Sequence, residues 1–186
     1  VIPALAAAEY HVVAPDLRGY GRTTGCDTSF DGDVRQFRMF NLVTDVLGLV
    51  RALGRDRVHA VVGHDFGSPL AAWCALARPD VFPAVALMSA PFAGPPALDA
   101  FDAVPGAVDI HAALAALERP RKHYQWYYST READAHMRHC PQGLHAFLRA
   151  YYHHKSADWH DNRPEPLGGW TAAELARLPT YYIMDL

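Results

Sequence analysis

One pentapeptide limits the fold of this chain more than any other feature: Gly63-His-Asp-Phe-Gly67. It follows Val58-His-Ala-Val-Val62, an apolar run that is too short for a helix and rich in β-branched residues, as in a parallel strand covered on both faces. After it, residues 68–77 favour a helix. Glycines on both sides of the central residues indicate a turn so sharp that a Cβ atom would meet the strand or the helix. The pattern predicts a strand, a tight elbow with Asp65 at its tip, and a helix.

Other segments extend this alternation of strand and helix. Apolar residues recur at helical spacing between 42 and 53 and predict a helix that ends at Gly54. Short strands are predicted at His11-Val-Val-Ala-Pro15, 84–88 and 180–184. Such alternation is typical of an α/β fold with a mostly parallel sheet flanked by helices.

The composition of the sequence changes after Pro91: prolines, aromatic residues and histidines become frequent up to about Pro166, and no alternating strand pattern continues there. Its most helical stretches are 112–118 and 144–152, and a further helix begins after Thr171. We therefore predict three segments: an α/β core over 1–92, a helical cap over 93–168, and a return to the core over 169–186.

Composition restricts the class of partner. The 186 residues carry a formal net charge of −3, without the basic stripe that nucleic acids require or an apolar run of about 18 residues that could cross a bilayer. Three scattered cysteines favour free thiols, and the first residues lack the features of a signal peptide. We expect a cytoplasmic protein that acts on a small molecule and needs no cofactor.

Asp65 is the candidate catalytic residue. An aspartate side chain is ionised at neutral pH, and the start of a helix just beyond it favours the anion further. Such a carboxylate can displace a leaving group from saturated carbon without first losing a proton, which points to epoxides or alkyl halides rather than esters. The competing interpretation is that Asp65 only caps the helix. A dinucleotide site at Gly19-x-Gly21-x-x-x-Gly25 is disfavoured by its spacing.

The motifs together resemble the epoxide hydrolase branch of the α/β-hydrolase superfamily, which also contains the haloalkane dehalogenases. The matching pieces are 13–22, which reads VAPDLRGYGR, then Val62-Gly-His-Asp-Phe-Gly67, Ser89-Ala-Pro91 and the aromatic cap. The resemblance implies a partial α/β-hydrolase fold with a cap insertion. It also implies that the N–H of Phe66 contributes to an oxyanion hole.

The same resemblance implies that two cap tyrosines donate hydrogen bonds to the epoxide oxygen. A neutral phenol can protonate the alkoxide that develops as the ring opens. Tyr124 matches the first position, and either Tyr151 or Tyr152 matches the second. The alternative is that these rings only pack within a helical cap.

Several further features bear on the reaction. Haloalkane dehalogenases usually carry a Trp directly after the nucleophile, and Phe66 has no such N–H donor, which favours epoxides. His64 either packs at the turn or influences the pocket. Two pairs of histidines, at 153 and 154 and at 136 and 139, could bind a metal ion. No carboxylate or cysteine at metal-ligand spacing completes either pair, so we expect no metal.

Three parts that the resemblance implies have no match in the sequence. The first is a His-Gly-x-Pro loop. The second is an acidic residue shortly after 180–184, and Asp185 comes slightly too early in the chain for this position. The third is a late histidine that activates water, whereas the last histidine of the sequence is His160. We expect that these residues alone neither fold cooperatively nor turn over substrate. A dehalogenase and a non-catalytic binding protein stay as alternatives, and a homodimer of the whole protein is left open.

Overall fold

The structure is a computed structural model that describes residues 1–95 and 108–186 in two compact units, one in each range. Unit 1 contains α1 (Ile2–Ala7), a 3-10 helix (Val34–Phe37), α2 (Met39–Ala52), β1 (Val61–His64), α3 (Gly67–Ala77) and β2 (Val85–Met88). Unit 2 contains α4 (Ile110–Ala115), β3 (Arg121–His123), α5 (Tyr124–Tyr128), α6 (Ala133–Arg138), α7 (Leu144–His154), α8 (Ala172–Leu175) and β4 (Ile183–Asp185). The start of the predicted cap lies partly outside the described residues.

The predicted strand, elbow and helix are present in unit 1. β1 and β2 are parallel neighbours, with Val61 opposite Val85 and His64 opposite Met88. Parallel strands need a crossover connection, which α3 provides. The carboxyl ends of both strands therefore lie side by side, and the elbow leaves β1 at that edge.

Apolar residues of α2, of α3 and of the segment that follows α3 form the core of unit 1. They are Leu42, Val43, Val50, Leu70, Cys74, Val81 and Phe82. The predicted end of α2 at Gly54 is confirmed: this residue has a φ of +69°, and its N–H donates to the carbonyl of Arg51 at 2.9 Å. Arg55 donates to Val50 at 3.1 Å, which completes a Schellman cap.

Two expectations for unit 1 were wrong. Residues 11–15 form no strand, because no described strand lies beside them to share backbone hydrogen bonds, and Val13 is exposed. β1 and β2 are not covered on both faces either, since Val62, Val85 and Leu87 remain exposed.

Unit 2 has its own small core of Leu114, Leu175 and Ile183. β4 pairs antiparallel with β3, with Ile183 opposite His123. The start of α8 is capped as expected, because the Thr171 hydroxyl accepts from the N–H of Glu174 at 3.3 Å. We expected 169–186 to return to the core; within this range, β4 pairs with β3 of unit 2. The domain boundaries themselves stay a prediction.

Candidate active site

Asp65 lies at the elbow in a strained backbone conformation. Its φ is +53°, in the left-handed region that costs a residue with a Cβ atom about 1–2 kcal/mol, although aspartate tolerates it better than most. The close packing of the turn explains Gly63, because a Cβ atom there would lie 2.1 Å from the carbonyl oxygen of Gly67. At Gly67 itself a Cβ would meet nothing within 4 Å. The elbow thus requires one of its two glycines, and not both as the sequence suggested.

A single carbonyl at the end of β2 ties the elbow to the neighbouring strand. The N–H of Asp65 donates to the Met88 carbonyl at 3.1 Å. The Ser68 Oγ lies 2.9 Å from the same carbonyl oxygen and accepts from the Met88 N–H at 3.1 Å. The Gly63 carbonyl, at 3.0 Å from Ser68 Oγ, is a second acceptor for the hydroxyl. Ser68 is fully buried, so these bonds form away from water.

The carboxylate of Asp65 remains accessible. Its side chain is exposed, forms no ion pair with a residue of the described ranges, and accepts from the N–H of Phe66 at 2.7 Å. It stands directly before the 11 residues of α3, whose amino-terminal N–H groups favour a negative charge. Ligands of open α/β sheets bind at the carboxyl ends of parallel strands. The arrangement suits an anion that attacks a small molecule there.

The two residues that flank Asp65 are also accessible. Phe66 is 49% exposed, and its ring offers no hydrogen-bond donor. His64 ends β1, and its side chain makes no hydrogen bond, ion pair or ring contact within the part of the chain that the structure describes. The roles that we expected for both residues stay predictions.

Tyrosines of unit 2 line an open cavity of about 330 Å³. The hydroxyl of Tyr128 donates to that of Tyr151 at 3.3 Å, and both residues belong to the cavity wall. Tyr152, the other candidate for the second position, is 63% exposed and does not line this cavity. Burial, followed by the hydrogen bond with Tyr151, raises the pKa of Tyr128 above its usual value, so this phenol keeps its proton at neutral pH.

Tyr124 packs against the same group of rings. Its ring meets those of Tyr128 and Tyr182 edge to face, at 5.6 and 5.3 Å between centroids. Its N–H donates to the Tyr182 carbonyl at 2.8 Å, which joins the start of α5 to the segment before β4. The structure therefore brings Tyr124 and Tyr151 to one cluster through Tyr128, which the sequence analysis had not singled out.

The other sequence candidates have partners within unit 2. His136 Nδ1 lies 2.9 Å from the Tyr127 hydroxyl, and His154 Nδ1 lies 2.8 Å from the Ala150 carbonyl. Asp185 forms two hydrogen bonds of 2.7 Å with Arg119, so it ties β4 to the chain before β3. In the described ranges, no three His, Cys, Asp or Glu side chains are grouped as a metal site would require. None of the helices described is both long and apolar enough to span a bilayer.

The family of the chain follows from a comparison with known proteins. The family model described as the alpha/beta hydrolase fold matches residues 1–166. The chain therefore belongs to the α/β-hydrolase fold family, and the predicted fold class is confirmed.

Its similar relatives within that family are epoxide hydrolases. The chain is 43% identical over 93 residues to epoxide hydrolase B of Mycobacterium tuberculosis, which is 50% of this chain and 24% of that protein. It is 40% identical over 89 residues to an epoxide hydrolase of Caballeronia sordidicola, covering 48% of this chain and 25% of that one. The structure of an epoxide hydrolase from an endophytic Streptomyces matches 81% of this chain with a TM-score of 0.56 and 35% identity, over 40% of that chain.

These matches confirm the resemblance to the epoxide hydrolase branch. The matched stretch spans about a quarter of the length of the curated relatives. The roles of Asp65 and of the tyrosines are not tested by any of these similarities and stay predictions.

Proposed function

We propose that the protein containing this chain hydrolyses epoxides through a covalent intermediate on Asp65. A carboxylate oxygen attacks an epoxide carbon, the carbon–oxygen bond of the ring breaks, and Tyr151 gives its proton to the released oxygen. Water then adds to the carbonyl carbon of the resulting ester and frees a vicinal diol. The proton from water returns to the tyrosinate, so each cycle consumes one epoxide and one water.

The accessible carboxylate at the elbow carries this proposal. A residue held at a positive φ costs free energy, and such strain is found where a side chain must be presented in a defined direction. Asp65 is presented at the carboxyl edge of β1, and among the described residues only Phe66 donates an N–H to its carboxylate. A carboxylate that merely capped α3 would bind the N–H of a residue in its first turn, and the amino end of α3 has no side-chain cap.

Unit 2 supports Tyr151 rather than Tyr152 as the second proton donor. Tyr151 is half-buried, lines the cavity and bonds to another phenol, whereas Tyr152 is mostly exposed. Tyr124 does not line the cavity itself, and it remains our choice for the first position because its ring contacts that of Tyr128 in the cavity wall. The aromatic wall of the cavity suits a small apolar substrate.

We also propose a cytoplasmic location for the protein. Cys26, Cys74 and Cys140 are free thiols, which agrees with a cytoplasmic location. Assembly of the whole protein into a homodimer is compatible with the proposal, and sedimentation velocity measures it.

Isotope transfer from water tests the covalent step. The protein containing this chain, in molar excess, is mixed with styrene oxide in H₂¹⁸O. The protein is then digested, and mass spectrometry measures the masses of the peptide that carries Asp65 and of the diol. We expect one ¹⁸O atom in Asp65 and none in the diol, because the diol takes its new oxygen from the carboxylate. A label in the diol alone would contradict the mechanism. Halide release from 1-chlorobutane without epoxide turnover would instead indicate a dehalogenase. The absence of both reactions would indicate a binding protein.

A further inference from the structure

An unusual lysine lies against the tyrosines of unit 2. Lys155 directly follows α7, and its Nζ atom lies over the rings of Tyr151, Tyr181 and Tyr182 at 4.9, 5.4 and 5.1 Å from their centroids. Ammonium groups are attracted to aromatic faces within about 6 Å. Lys155 is half-buried and has no carboxylate partner among residues 1–95 and 108–186. Its charge is thus held by aromatic rings instead of by an acid.

The same ammonium reaches the hydroxyl of Tyr151. Nζ lies 3.4 Å from that oxygen, and the Tyr128 hydroxyl donates to it at 3.3 Å. A phenol oxygen can accept two hydrogen bonds and donate one, whereas an ammonium group can only donate. With Lys155 and Tyr128 as its two donors, Tyr151 must direct its own proton to a third partner. Tyr151 lines the open cavity, and Lys155 does not.

We propose that Lys155 is a positioning residue that directs the proton of Tyr151 into the cavity. This inference rests on the proposed function, in which Tyr151 is a proton donor. Without the ammonium group, the Tyr151 hydroxyl has an empty acceptor site and its proton can turn toward the Tyr128 oxygen. The epoxide oxygen would then lose its donor in part of the molecules, while the apolar walls that bind the substrate would be unchanged.

Replacing the charge while keeping the length of the side chain tests this role. In the protein containing this chain, we expect Lys155→Met to lower kcat by about 10-fold, the loss typical of a hydrogen bond to a charged group, with KM changed by less than about twofold. Lys155→Arg, which keeps a cationic donor, should retain most of kcat. In a Tyr151→Phe background, Lys155→Met should cause no further loss, because Lys155 acts through that hydroxyl.

The outcomes separate the two proposals. If Tyr151→Phe slows turnover and Lys155→Met does not, this inference fails and the proposed function stands. If Tyr151→Phe leaves turnover unchanged, the assignment of Tyr151 fails and this inference fails with it. A Lys155→Met effect that persists in the Tyr151→Phe background would reveal a merely structural role and would also overturn the inference. Where Lys155→Met does not fold, Lys155→Gln takes its place because it also removes the ammonium charge, and an unchanged kcat in that variant overturns this inference.

Discussion

Asp65 in unit 1 is held by the backbone, whereas Tyr151 in unit 2 is held by other side chains. The elbow depends on a positive φ, a close approach at Gly63 and the hydrogen bond from the Asp65 N–H to the Met88 carbonyl. Tyr151 instead depends on the hydroxyl of Tyr128 and the ammonium of Lys155. The difference matters for mutation, because a backbone-held group withstands changes to nearby side chains, and a group in a side-chain network does not.

The strongest test of the backbone-held region removes the charge of Asp65. We expect Asp65→Asn to lower turnover by at least ~10³-fold, because an amide is a poor nucleophile, while asparagine still tolerates the left-handed conformation. Initial-rate measurements and the thermal midpoint check this. Asp56→Asn, at an exposed position before β1, is the control and should leave both unchanged.

A second test addresses the close approach at the elbow. Gly63→Ala would place a Cβ atom 2.1 Å from the carbonyl oxygen of Gly67, so we expect a loss of about 3 kcal/mol or more in the free energy of unfolding. Gly48→Ala is the control, since a Cβ atom in this helical position meets nothing within 4 Å. It should stabilise by about 0.5–1 kcal/mol, and chemical denaturation compares the two. Equal unfolding free energies for Gly63→Ala and the unsubstituted protein would show that the backbone of the elbow can move to accommodate the Cβ atom.

The side-chain network is tested by removing one hydroxyl at a time. Tyr151→Phe should lower kcat by about 10²-fold, as expected for the loss of a general acid. Tyr152→Phe should change kcat little, because this exposed side chain does not line the cavity. The reverse ranking in steady-state kinetics would transfer the role to Tyr152.

The backbone-held region also depends on the side chain of Ser68. Ser68→Ala leaves the partly buried N–H of Met88 without its partner, and leaving such a group unpaired away from water typically costs about 1–3 kcal/mol. Ser129→Ala is a matched control, because the Ser129 hydroxyl bonds to the Trp126 carbonyl in solvent. Urea denaturation should show the larger loss of unfolding free energy for Ser68→Ala. Similar losses in the two variants would mean that the hydrogen bonds of Ser68 contribute little to stability.

The smallest expected effect concerns the ion pair between β4 and the chain before β3. Hydrogen bonds from Arg119 hold the pKa of Asp185 below its usual value. A lowered carboxyl pKa stabilises the folded state above the unfolded value of about 4, and this contribution is lost as the pH falls through the folded value. Asp185→Asn should therefore lower the thermal midpoint slightly at pH 7 and by progressively less as the pH falls below about 4, since exposed pairs contribute little. Asp134→Asn, whose pair with Arg138 lies within one helix, should have a weaker effect at pH 7.

The features of both units that the sequence predicted are local. The elbow, the helix end at Gly54 and the cap at Thr171 each depend on residues within a few positions of one another. The strand expected at 11–15 fails because a strand also needs a neighbour, and its pattern of apolar residues cannot supply one.

By itself, the sequence determined the α/β class, the elbow at Asp65 and the family resemblance, because short-range sterics allow few structures for that motif. Only the tertiary structure decided which partners hold the candidate groups. Ser68 meets Met88 from 20 residues away and Tyr128 meets Tyr151 from 23. Lys155 meets Tyr181 and Tyr182 through the packing of unit 2. Contacts between distant positions leave no periodic pattern along the chain, since they depend on how separate elements pack.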